Sequence, residues 1–180
     1  RFDPLLTGVT AKQCIFRIYR DVRFSKDKRP YKEHMGAYLA NNGRKSTRAA
    51  YYIHIEPGNC FLGGGLYQPQ PAMLKKVRQQ IDYDAQGLRN ILNRDDFKNT
   101  FGQMRGDQLK TAPKDFPKDH PDIDLLRFKD FFAMNEFEDE IAQSKNIVGY
   151  ATQIFKNLKS FNDYFNQAMQ FDDNEPKINF

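Results

Sequence analysis

Tryptophan is absent from the chain, and cysteine occurs only at Cys14 and Cys60. There is no C-x-x-C pair and no cluster at metal-ligand spacing, which excludes a cysteine-built metal or redox centre. Both cysteines sit among apolar, strand-like neighbours, where a free thiol behaves as a small hydrophobe. That favours a reduced, cytoplasmic protein over one carrying a cross-strand disulfide. No apolar run reaches the length of a membrane span, and no signal-peptide pattern is visible. Neither G-x-G-x-x-G nor G-x-x-x-x-G-K-[ST] occurs, so two common phosphate-cradling loops are missing. G-x-S-x-G is missing too, and neither cysteine has an adjacent histidine, which leaves nucleophilic catalysis without support. No repeat, no aromatic RNA-binding sheet signature and no helix-turn-helix pattern is present.

What is present describes a globular chain. Charged residues make up 28% and the hydrophobic class 39% of 180 residues, enough length and apolar content for a substantial core. Sixteen Phe and nine Tyr make that core aromatic. The simplest organisation is one domain over residues 1–170, then an Asp- and Asn-rich tail, Phe171–Phe180, with no assigned role. Charge is concentrated: between Lys12 and Arg48 there are eleven Lys/Arg and three acids, a balance of +8 against +5 overall, so the remainder carries −3. A localised positive field attracts phosphates, nucleic acid or acidic partners, while the plainer reading is a solvated basic face.

Period-two patterning makes Cys14 to Phe24 a strand, with Cys14, Phe16, Ile18, Val22 and Phe24 on one face and Ile15, Arg17, Tyr19, Asp21 and Arg23 on the other. Arg20 then lands on the apolar face, where it needs a carboxylate from Asp21, Asp27 or Glu56. Ser25–Pro30 reads as a turn, Tyr31–Ala40 as a short helix and 41–47 as a loop. Strands are expected over Ala49–Glu56 and Cys60–Tyr67, joined as a hairpin by Pro57-Gly58-Asn59. Pro71 opens a helix with Met73, Val77 and Ile81 on its apolar face, and helical segments follow near Ala85–Leu92 and Asp95–Phe101. Gly106–Pro121 is irregular, a lid or a wrap around a sheet edge. A short helix near Asp122–Arg127 leads to a fourth strand over Lys129–Phe137. Ile147, Ala151, Ile154, Leu158, Phe161, Phe165 and Ala168 mark one long helix, or two broken near Ser160. This order predicts an α+β fold, a mostly antiparallel sheet with helices packed on one side.

The densest information lies in Arg17-x-x-Arg20-Asp21-x-Arg23-Phe24-x-x-Asp27-Lys28-x-x-Tyr31. This run resembles the defining motif of a conserved, mainly bacterial family, domain of unknown function 2461, and the resemblance extends to about Gln170. Members of that family carry a longer segment upstream of the motif, so the resemblance implies more chain before Arg17 than this sequence has. The family name assigns no activity, so function is read from the residues.

Arg17, Tyr19, Asp21 and Arg23 on an open strand face would form an anion platform, with Arg20 and Lys28 adding charge, Asp21 orienting an arginine and Tyr31 packing or hydrogen-bonding. Arginine suits this role because its planar fork grips phosphate or carboxylate through two hydrogen bonds. The leading expectation is therefore binding of a phosphate-bearing or other anionic small molecule. Nucleic acid is a second partner class, because Tyr19, Phe24, Tyr31 and Tyr38 interleave with the cations. An enzyme is the next reading, with His54 or His120 as general base beside that site. His54 shares a strand face with Tyr52 and Glu56. His34 or His120 would complete a two-histidine, one-carboxylate iron site, yet His-x-Glu recurs by chance in strands and no metal or cofactor is assigned. Gly63-Gly64-Gly65 reads as a bulge or tight crossing before it reads as a ligand approach. A third class is a structural or interaction module whose motif is an internal salt-bridge lattice.

Overall fold

The structure is a computed structural model that describes residues 2–169. Its centre is an antiparallel sheet in the order β1-β2-β3-β4, made of β1 (Met35–Leu39), β2 (Ala50–Ile55), β3 (Cys60–Leu66) and β4 (Phe131–Phe137). β2 and β3 form the expected hairpin, with Tyr52 opposite Gly63 and His54 opposite Phe61. The fold is α+β, with the helices on one face of the sheet. α6 (Ile147–Gln167) lies across β3 on that face, and α2 (Pro71–Asn93) packs against α6. α3 (Asp95–Phe101) and α4 (Ile123–Leu126) fill in around them. α5 (Asp139–Ala142) follows β4, and its Asp139 accepts the Gly58 N–H at the tip of the hairpin. Leu62, Phe131, Ala133, Leu158, Phe161 and Phe165 are fully buried between sheet and helices. Side chains alternate as in any pleated strand: even positions of β3 face α6 and odd positions face away. No helix among the described residues is long and apolar enough to cross a membrane.

α2 is two helical segments that meet at a kink, as expected, and side chains satisfy backbone groups beside the kink. Asp84 has non-helical angles (φ −140°, ψ 55°) inside it. Its Oδ1 accepts the Gly87 N–H at 2.9 Å, capping the second half. Tyr164 Oη donates to the Asp84 and Gln80 carbonyls, 2.9 and 3.3 Å away, serving acceptors near the break. α6 runs unbroken past Ser160, whose hydroxyl accepts from Arg94.

Two expectations near the start are corrected. Cys14 ends a short helix, α1 (Ala11–Cys14), closed by the Thr10 N–H donating to Gln13 Oε1 at 2.8 Å. Beyond it the chain is extended without being a regular strand: Ile15 and Phe16 cover the outer edge of β1, and Tyr19 pairs with Tyr31. The period-two apolar set finds no sheet to bury it, and Phe24 is 95% exposed. The expected helix over Tyr31–Ala40 is instead β1, because Met35–Leu39 can pair with β2 along its whole length. Met, Ala, Tyr and Leu suit either state, and a waiting sheet edge decides between them. The opposite edge is covered too, since Arg105 exchanges both backbone hydrogen bonds with Phe132. The tail Phe171–Phe180 lies outside the described residues.

Candidate functional site

Side chains that point away from the helices give the sheet an open face with an aromatic lining. Paired neighbours share that face row by row: Gly36, His54, Phe61 and Glu136, then Tyr38, Tyr52, Gly63 and Met134. Gly63 and Gly65 contribute no side chain, so the surface dips there. The result is a groove of about 540 Å³ bounded by Phe16, Tyr38, Tyr52, His54, Phe61, Tyr67, Phe132 and Met134 over a glycine floor. Its lining is almost wholly apolar. Tyr38 Oη is turned to the Arg48 carbonyl at 2.8 Å, and burial pushes its hydroxyl up to about 12.

Phe16 separates this groove from a second, more open trough of about 650 Å³, lined by Lys12, Ile15, Phe16, Arg17, Ile18, Tyr19 and Arg44. Arg44 donates to the Lys12 carbonyl at 3.3 Å. Lys32 Nζ and the Arg44 guanidinium stand 5.8 and 6.0 Å from the Phe16 ring centre. Among the described residues no carboxylate forms an ion pair with Lys12, Arg17 or Arg44.

The other motif residues turn inward on their own loop. Arg20 N–H donates to the Pro30 carbonyl and Lys32 N–H to Ile18, which folds 18–32 into a ribbon. Tyr31 packs on Tyr19 with ring centres 5.5 Å apart. Arg20 takes Asp27 as its carboxylate, one of the three partners expected for it. Asp27 also holds Arg29, and these guanidinium contacts, that of Arg29 first, keep its carboxyl well below the usual range. Asp21 grips Arg23 through both oxygens, at 2.9 and 2.6 Å. Lys28 Nζ donates to the Val22 carbonyl at 2.9 Å. Of the motif cations, Arg17 is the one directed to the trough.

Arg23→Met is accordingly expected to leave the thermal midpoint unchanged in a circular-dichroism melt. The Arg23 side chain is 75% exposed and its partner is two residues away, an arrangement that water screens. A fall of several degrees would show that the pair holds the fold.

His54 lies on β2 beneath two rings. It stacks on Phe61 at 4.5 Å and on His34 at 4.6 Å. Its Nε2 meets Glu56 Oε2 at 3.1 Å, and its Nδ1 meets Tyr52 Oη at 3.3 Å. Asn59 Nδ2 donates to the same Glu56 oxygen at 2.7 Å; Asn59 and His54 hold that carboxyl below its ordinary value. Burial, with His54 and Lys32 nearby, pushes the His34 imidazole down. His120 is not part of this group: it binds Asp82 of α2 at 2.9 Å, on the helical side. Sequence reasoning named His54, Glu56 and Arg17 but missed Lys12, Arg44 and the wall formed by Phe16, Tyr67 and Phe132. The one signal for that wall is the alternation of aromatics and glycines along paired strands, visible only once the register is known.

A family model described as "Conserved hypothetical protein (DUF2461)" matches residues 1–164. No curated protein and no solved structure matches the chain.

Proposed function

We propose that this chain, which belongs to the DUF2461 family, binds an amphiphilic organic anion across its open sheet face. The planar, apolar body of the ligand lies in the aromatic groove, and its phosphate or carboxylate end reaches Lys12, Arg17 and Arg44. One observation carries this reading: Phe16 is the shared wall of the apolar groove and the cationic trough. The groove has the size and apolar lining usual for small-molecule sites. The trough holds cations that form no ion pair with a carboxylate among the described residues, and Asp21 acts on Arg17 only at longer range, so an incoming anion has no ion pair to break. A general base finds less support, because both ring nitrogens of His54 and of His120 already have protein partners.

The test is fluorescence titration with 8-anilinonaphthalene-1-sulfonate, alongside its uncharged relative N-phenyl-1-naphthylamine. Arg17→Glu is expected to weaken the sulfonate about tenfold, ~1.4 kcal/mol, and to leave the uncharged probe unchanged. Phe16→Ala weakens both. Added salt weakens the sulfonate alone. Sulfonate affinity that ignores both salt and Arg17→Glu overturns the reading. An oligonucleotide that binds more tightly, with a steep multi-charge salt slope, replaces the small anion with single-stranded nucleic acid.

A further inference from the structure

We infer that His34, His54 and Glu56 form a binding site for a divalent transition-metal ion of the zinc class. One donor atom from each residue lies within 4.8 Å of the others. Tetrahedral bonds of about 2.0–2.1 Å set neighbouring donors about 3.4 Å apart. The His54–Glu56 pair, at 3.1 Å, already has that spacing. His34 closes on the pair by rotating its side chain, and its ring makes no hydrogen bond with any described residue that would have to be broken. Two imidazoles and one carboxylate are the borderline donor set that zinc, cobalt and nickel take, in contrast to the all-oxygen sets of calcium or magnesium.

The surroundings fit ligands better than a surface cluster. Metal-binding imidazoles are commonly fixed through their second nitrogen, and the carboxylate through a further hydrogen bond. Tyr52 Oη stands 3.3 Å from His54 Nδ1, which leaves Nε2 for the ion. Asn59 holds Glu56 at 2.7 Å. His54 is 8% exposed and stacked on Phe61, so its ring plane is set before any ion arrives. Three protein donors leave a tetrahedral ion one open position for water or a ligand atom, beside a groove that His54 itself lines. The inference does not depend on anion binding in the trough.

The test uses chelator-treated full chain and two probes, Zn²⁺ by isothermal titration calorimetry and Co²⁺ by its visible d–d absorption. One ion per chain is expected. His34→Ala and Glu56→Gln each lower the affinity more than tenfold, and Asn59→Ala lowers it about tenfold, the usual size for an outer partner. His120→Ala changes nothing. Circular dichroism confirms that each variant is folded, and the wild-type melting point rises with Zn²⁺ where that of His34→Ala does not. The absence of a one-to-one complex overturns the inference and leaves a packed stack of rings. Ion binding that survives both His34→Ala and Glu56→Gln, or that is lost in His120→Ala, overturns it equally.

Discussion

Gly64→Val is expected to cost about 3 kcal/mol and to lower the thermal midpoint by roughly 6–12 °C. A Cβ at residue 64 would stand 2.1 Å from the Ala50 carbonyl oxygen and 2.7 Å from Leu158 Cδ2. The first neighbour is backbone of β2 and cannot turn aside. The second belongs to a fully buried leucine of α6, already packed at interior density. Relief requires α6 to lift from β3 or β2 to slide, and either movement disturbs the strands that carry Tyr52, His54 and Phe61. The effect is therefore twofold, a lower melting point and a weaker response to the sulfonate probe. A variant that melts within a degree of wild type would show that sheet and helix are looser than this geometry requires.

The three glycines illustrate how far the sequence was legible. A bulge was the favoured expectation and a tight crossing the other; β3 pairs with both neighbours in continuous register, so there is no bulge, and Gly64 is a tight crossing. Gly63 and Gly65 face the open side and leave the groove its floor, yet they too lie close to a neighbouring strand: a Cβ there would stand 2.5 Å from the Ala133 carbonyl oxygen and 2.1 Å from that of Phe131 in β4, and Gly65 has φ +123°, a backbone state that side chains disfavour. The strings of β2, β3 and β4 were readable because alternation and turn residues agree there. The motif region misled for a physical reason. Its period-two pattern is real, but a strand exists only when a neighbouring edge accepts its hydrogen bonds, and β1 offers that edge only to Ile15 and Phe16. Residues 17–31 then satisfy each other, so most of the expected anion platform is spent internally as Arg20–Asp27, Arg23–Asp21 and Arg29–Asp27 pairs. Of the cations left for a ligand, Arg17 alone comes from the motif; Lys12 and Arg44 flank it on both sides and meet only because α1 and the turn after β1 are neighbours. His34 joined His54 for a similar reason: it precedes β1, and Gly36 opposite His54 fixes the register. Local pattern cannot report such a meeting, because it depends on which segment won the sheet edge.

Asn166→Leu is expected to destabilise the chain by ~2–5 kcal/mol through two unpaired backbone groups. Asn166 Oδ1 accepts the Ala49 N–H at 2.9 Å, and its Nδ2 donates to the Ala49 carbonyl at 3.1 Å, a side-chain amide standing in for a strand partner. Both residues are buried, at 5% exposure each, so water cannot replace the lost bonds cheaply. The clamp fixes the chain just before β2 and, with it, the start of the strand that carries Tyr52 and His54. Leucine fills the volume but serves neither group. Asn166→Asp separates the two bonds. As a carboxylate it still accepts from Ala49 N–H but faces the Ala49 carbonyl with a negative charge, while as a carboxylic acid it can donate there. Burial and that carbonyl therefore raise its pKa in the folded state above the unfolded value of about 3.9. Between those two values the folded chain binds the extra proton, so stability falls as pH rises through the folded pKa and is restored below the unfolded one. Urea unfolding of Asn166→Asp across acidic to neutral pH, measured against Asn166→Leu to cancel every other titrating group, reads this directly. The aspartate variant should approach wild-type stability at the acid end and fall towards or below the leucine variant near neutrality. Parallel curves for the two variants would show that Asn166 fills space without clamping the strand.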